Sequence, residues 1–215
     1  MNRCRRSPGG SGGTRSGRTR WVFDGFIAGM GTASGTRIVL GHWTASPFGP
    51  VSDVMVERPD GHRVLLAPDP EAADFIARTY AFDEVRVEPV VVRAAAGSWT
   101  VAADSLSLRF TTGRRGLLGL LLSAVPRALA VSPRWIALVD RPARVLRGVR
   151  TRGTAGGGRH EWYGARDLRP VVAATAAYEG ADLGPLAPVA PAVRFGFGST
   201  PRRPCVVRVT TTVEG

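Results

Sequence analysis

The sequence predicts an α+β fold, predominantly antiparallel β-sheet and barrel-like or sandwich in form, with a central helical insertion over about 114–147 and one short helix over about 70–80. Three observations carry this reading. From Trp21 onward, short runs rich in Val, Ile, Phe and Thr are separated by Gly, Pro and Asp, which is strand-and-turn texture. Across residues 114–150, Leu and Ala displace the β-branched residues. After Gly148 the strand texture returns, so helix interrupts sheet instead of alternating with it. A chain of 215 residues with 44% hydrophobic and 21% charged residues can bury a core without disulfides or a structural metal.

Residues 1–20 hold six Arg among Gly, Ser and Thr with no apolar run, so they read as a disordered basic tail ahead of a single β-rich domain, 21–215. Arg5 and Arg6 are not followed by an apolar stretch, which argues against a secretory signal. Next comes FDGFIAGMGTASGTRIVLGHW, whose glycines invite a phosphate-loop reading. A dinucleotide fingerprint needs G-x-G-x-x-G opening a helix; here the spacing is G-x-G-x-x-x-G and a strand pattern follows. The stretch therefore reads as a hairpin turning at Ala33-Ser34-Gly35, with Gly29 and Gly31 marking a bulge or a close backbone contact.

Residues 53–68 form a second predicted hairpin around Pro59-Asp60-Gly61, where Pro presets one turn dihedral and Gly accepts a positive one. Asp69-Pro70-Glu71 supplies an N-cap, a first-turn proline and an acid favoured by the helix dipole, starting a helix that reaches about Tyr80. Strands are expected at 85–93, 98–103 and 105–111. The helical insertion follows, with Ser132-Pro133 as a helix start inside it. Its apolar run at 116–126 is too short to cross a bilayer. Strands return around 149–155, 159–166, 170–179, 192–198 and 205–213, the first two joined at Gly156-Gly157-Gly158.

All 29 basic residues are Arg. The absence of Lys excludes Schiff-base catalysis, pyridoxal phosphate attachment and the P-loop, each of which needs an amine. The net charge of +12 is uneven: residues 21–113 carry seven Arg against eleven acids, residues 114–169 twelve Arg against three. Cys4 and Cys205 lie at opposite ends in contexts that suggest neither a metal nor a redox pair, consistent with a reduced, cytoplasmic protein.

His42, His62 and His160 are the three histidines, none at ligand spacing from another, so no metal and no cofactor is expected. His42 and Trp43 adjoin, and His160 with Trp162 shares one face of a strand while Glu161 and Tyr163 share the other. His42, Trp43, His160 and Trp162 are the candidate ligand-binding residues. Asp83 with Glu84, and Asp24 with Asp53, have the chemistry for acid/base work, with nothing in the sequence to bring them together. Arg141, Arg144, Arg147 and Arg150 beside the Leu-rich run are the candidate contacts to an anionic partner, a membrane surface or a nucleic acid.

The segments FDGFIAGMGTASGTRIVLGHW, VSDVMVERPDGHRVLLAP, AFDEVRVEPV, RFTTGRRGLLG, EWYGARD and VRFGFGSTPRRP resemble a set of uncharacterised proteins of high-GC actinobacteria. That resemblance implies genomic codon bias as the origin of the all-Arg usage and lends no catalytic residues. The leading expectation is a protein that binds a small, largely apolar and possibly anionic ligand inside the barrel-like sheet. An interior without a pocket above ~300 Å³ would argue against it. The alternatives are a peripheral membrane or nucleic-acid module working through 114–169, and an enzyme using His or carboxylate acid/base chemistry.

Overall fold

The computed structural model describes residues 19–130, 132, 152–154, 156–196 and 200–215. The first half is a meander: β1 (Arg20–Thr32), β2 (Arg37–Ala45), β3 (Val51–Glu57), β4 (Arg63–Ala67), helix α1 (Pro70–Thr79), then β5 (Glu84–Val87). β6 (Val91–Ala95), β7 (Ser98–Ala102) and β8 (Leu106–Thr112) follow, leading to α2 (Leu117–Ala124) and α3 (Arg127–Ala130). The rest comprises β9 (Arg152–Thr154), a 3-10 turn at Gly156–Gly158, the long β10 (His160–Tyr178), the short β11 (Ala181–Asp182) and β12 (Leu186–Ala187), and β13 (Cys205–Glu214).

The strands join in one sheet, ordered β5-β4-β3-β2-β1-β13-β10-β8-β7-β6, with β9 and β11 added to β10 and β12 to β1. Pairing is antiparallel except for β4 with β5. The two ends of this order, β5 and β6, are joined by only residues 88–90, so the sheet must curl until its edges meet. Side chains tie the seam: Arg86 of β5 donates to Glu179 at 2.7 Å, and the Ser105 hydroxyl donates to Glu88 at 2.6 Å.

Strand alternation sorts the residues onto two faces. Inside the curl, Met30, Ile38, Leu40, Val54, Val56 and Val64 from the first half meet Trp99, Val101, Leu108 and Phe110 from the second. On the outer face, Leu65 and Ala67 pack beneath Ala73 and Ile76 of α1, and Val39 packs beneath Val189, Val193 and Phe195. A short helix and a non-strand strap, 188–196, thus cover part of the convex side.

The turn after β1 forms as expected, Gly35 taking a φ of +86° that side chains disfavour. The register shift in β1 falls at Asp24/Gly25 and not at Gly29 or Gly31. Those two glycines are instead close contacts, because a Cβ on Gly31 would run into the Pro188 carbonyl and one on Gly29 into the Thr200 methyl. Asp69 caps α1 by accepting from the Ala72 amide at 2.8 Å.

Three expectations change. The strand at 85–93 breaks at Glu88-Pro89-Val90, the link across the seam. Those at 159–166 and 170–179 merge into β10, which keeps Pro170 because the strand changes partner there, from β13 to β8. No strand occupies 192–196, the described part of 192–198. Only α2 and α3 of the helical insertion, with the coil around them, lie within the described residues. No helix among the described residues is long and apolar enough to cross a membrane.

Candidate functional site

The side chains named above pack together inside the curl. The cavity lies on the opposite, convex face, between the sheet, α1 and the strap, with a volume of about 70 Å³. Space of that size holds about five water-sized groups.

Its floor comes from outward-facing residues of five neighbouring strands: Phe23 and Ile27, Val39 and Trp43, Asp53 and Met55, Glu161 and Tyr163, Thr211 and Val213. Phe75, Ile76, Thr79 and Tyr80 form one wall, and Val193, Phe195, Gly196 and Thr200 another. Small residues create the space. A Cβ on Gly41 would stand 2.5 Å from Asp53 Oδ1 and 2.9 Å from Trp43 Nε1, blocking the bond those groups make.

Two carboxyl groups are buried in this apolar lining. Asp53, 2% exposed, accepts from the Trp43 indole at 3.1 Å. Glu161, 1% exposed, accepts from the Tyr80 hydroxyl at 2.6 Å, and that hydroxyl lies 2.9 Å from the hydroxyl of Tyr163. Burial pushes Asp53 up to about 7, against the smaller opposing effect of the indole. Burial likewise raises Glu161 to about 7, the two phenols pulling the other way. Both groups can therefore give or take a proton near neutrality.

The polar lining is also incompletely satisfied. Six buried side-chain atoms among the described residues lack a hydrogen-bond partner, and three of them, Glu161 Oε2, Thr200 Oγ1 and Thr211 Oγ1, belong to residues lining this cavity. No Arg or His is among the lining residues. The Arg159 guanidinium adjoins two lining residues, donating to Thr79 Oγ1 at 2.6 Å and lying 4.7 Å from the centre of the Phe75 ring, so a cation stands beside the two carboxyls. Among the described residues no group of three or more His, Cys, Asp or Glu gathers as a metal site would require.

No protein-family model matches the sequence, and neither does any curated protein. Among solved structures, acetoacetate decarboxylase from Legionella pneumophila is similar at a TM-score of 0.41 and 8% identity, over 91% of this chain and 84% of the other. A Nitrosomonas europaea protein described as AttH has a TM-score of 0.29 and 13% identity, over 92% of this chain and 51% of the other. At these values neither likeness carries an argument.

Of the residues singled out in the sequence, Trp43 lines the cavity and His42 does not. His42 belongs to the opposite face, lying near the rings of Phe26 and Trp99, with its Nδ1 2.8 Å from the Ser52 hydroxyl and its pKa lowered by burial. His160 and Trp162 also miss the cavity: β10 turns Glu161 and Tyr163 into it and leaves His160 exposed. Asp24 pairs with Arg166 at 2.6 Å, and Asp83 with Arg63 at 2.8 Å, so neither joins Asp53. Arg141, Arg144, Arg147 and Arg150 lie outside the described residues.

Proposed function

We propose that the protein binds a small molecule of about five non-hydrogen atoms in the cavity under α1, one with an apolar body and a hydrogen-bond-donating end. The observation that carries this is an apolar, aromatic-walled cavity with the buried, unpartnered carboxyl oxygen Glu161 Oε2 on one of its lining residues. An unmade buried hydrogen bond costs about 1–3 kcal/mol, and a donor group on a ligand would recover it. The bound ligand would sit against Phe23, Trp43 and Phe75 and reach Glu161 with its polar end. Thermal unfolding against a panel of four- and five-atom alcohols, amides, amines and acids tests this. At least one donor-bearing compound is expected to raise the midpoint in the wild type and not in a variant with the cavity filled, Thr211→Met. A flat response across the panel would show that water alone occupies the space.

A second reading is favoured by a different part of the surface. Helix α2 lays Gly119 against the Leu168 carbonyl and leaves Leu117, Leu120 and Leu121 exposed at 75%, 53% and 59%. Val172, 60% exposed, borders Gly113 just ahead of the helix, where Arg114 and Arg115 follow. Leucines beside arginines suit an anionic lipid surface, with the apolar chains entering the headgroup region. Flotation with phosphatidylglycerol vesicles is expected to carry the wild type and not Leu117→Ser/Leu121→Ser. Binding to low-salt nucleic acid without flotation would replace lipid by the other anionic partner.

A further inference from the structure

Glu161 Oε2 has an unsatisfied neighbour of the opposite kind. In the ladder between β10 and β13, Glu161 stands opposite Val213 and Tyr163 opposite Thr211, so Glu161 and Thr211 are diagonal neighbours on the outer face of adjacent strands. Glu161 is 1% exposed and Thr211 3%, and neither Glu161 Oε2 nor Thr211 Oγ1 has a hydrogen-bond partner. Thr200 lies against Gly29, farther along the sheet, and takes no part in this pair. The next strand sets Trp21 opposite Val213 and Phe23 opposite Thr211, and the Phe75 ring of α1 roofs both, 5.4 Å from each ring centre.

The two atoms ask for different partners. Tyr80 donates to Glu161 Oε1, which leaves Oε2 as an acceptor, whereas the Thr211 hydroxyl has a proton to give. Charge is already balanced at this corner. Arg159, two residues before Glu161, donates to Thr79 Oγ1 at 2.6 Å and to the Phe75 carbonyl at 3.2 Å, so the carboxylate has a guanidinium nearby and needs no charge on a ligand. A primary carboxamide carries an N–H donor and a carbonyl acceptor side by side on one flat, uncharged group.

We infer that this corner takes the primary carboxamide end of a small apolar molecule, its N–H donating to Glu161 Oε2 and its carbonyl accepting from Thr211 Oγ1, with the alkyl part under Phe75. This rests on the cavity being a binding site and names what the site selects. Other small groups meet only part of the demand. An alkylammonium can donate to Glu161 but leaves the Thr211 proton unused, and a carboxylate accepts from Thr211 but opposes the Glu161 charge. An alcohol must serve both with a single oxygen, while diagonal neighbours stand about 7–8 Å apart along the backbone and the amide places donor and acceptor on separate atoms.

Calorimetric titration of the full chain with propanamide, N,N-dimethylformamide, 1-butanol, butylammonium and propionate tests this, at pH 8 so that Glu161, raised by burial to about 7, is ionised. These compounds are similar in size and differ in what they donate and accept. Propanamide is expected to bind most tightly, roughly tenfold ahead of dimethylformamide, which keeps the carbonyl and lacks the N–H. In Glu161→Gln the side-chain carbonyl keeps the Tyr80 bond and an NH₂ group stands where Oε2 was, so the order of these two compounds is expected to reverse. Thr211→Val is expected to weaken propanamide by roughly tenfold. Native circular dichroism of both variants checks that they fold. Dimethylformamide binding the wild type as tightly as propanamide, or an unchanged order in Glu161→Gln, would overturn the inference. Butanol, butylammonium or propionate binding ahead of propanamide would overturn the choice of amide while leaving the cavity a binding site. No binding by any of the five would remove the binding site along with it.

Discussion

Glu57 and Asp53 stand four residues apart on β3, on the same outer face and equally cut off from water, yet they are treated in opposite ways. Glu57, 0% exposed, meets the Arg37 guanidinium at 2.9 Å and accepts from both the backbone amide and Nε of Arg194, at 2.8 and 2.9 Å. Asp53 receives a single indole N–H, and Glu161 across the cavity receives phenols. The chain supplies the counter-charge at one end of the strand and withholds it at the other. The first arrangement clamps the strap to the hairpin. The second keeps a charge open to whatever enters the cavity.

Removing Glu57 should produce the largest effect. Glu57→Ala leaves Arg37 buried without its anion, and a loss of about 3–5 kcal/mol is expected in urea unfolding at pH 7. The cavity acids should behave in reverse. Their folded pKa values lie above those of the unfolded chain, so the native state holds protons that the unfolded state releases. Stability should therefore fall as pH rises from about 4 to about 7 and level off above, each group costing roughly 3–4 kcal/mol at pH 8. Asp53→Asn and Glu161→Gln are expected to stabilise the protein at pH 8 by up to that amount, with the gain vanishing near pH 4. A stabilising Glu57→Gln under the same conditions would erase the distinction between the two ends of β3.

Gly41→Ala would force a methyl between Trp43 and Asp53 and should cost about 1–3 kcal/mol. Its accompanying signature is a further rise in the Asp53 titration, followed by carboxyl NMR. The smallest change is Tyr80→Phe, which removes one charged-group hydrogen bond, about 1–2 kcal/mol, and raises the Glu161 titration further.

Much of the fold is legible in residue types. Asp69-Pro70 announces α1, Pro59-Asp60-Gly61 turns β3 into β4, and GMGTASG reads as a turn because a strand follows it. The seam is less legible, since Glu88-Pro89-Val90 sits inside an unbroken Val-rich run and only the sheet order shows it to be a link. The site was half visible. Alternation separates His160 and Trp162 from Glu161 and Tyr163, but both pairs are a polar group beside an aromatic ring, and hydration of a free carboxylate argues for placing Glu161 in water. Only contact with Tyr80, 81 residues away, makes its burial tolerable. The cavity's position outside the curl follows from where α1 and the strap fold back, which local pattern does not encode.

The seam between β5 and β6 has a topological consequence. No ladder joins these strands among the described residues, so the closed outline is held by chain continuity through 88–90 and by side chains such as Arg86, Glu88 and Glu179. A single proteolytic nick in that link would leave every inter-strand hydrogen bond intact while letting the two unpaired edges swing apart. Each would be a template for strand exchange with another copy, so three residues stand between a self-contained sheet and one able to polymerise.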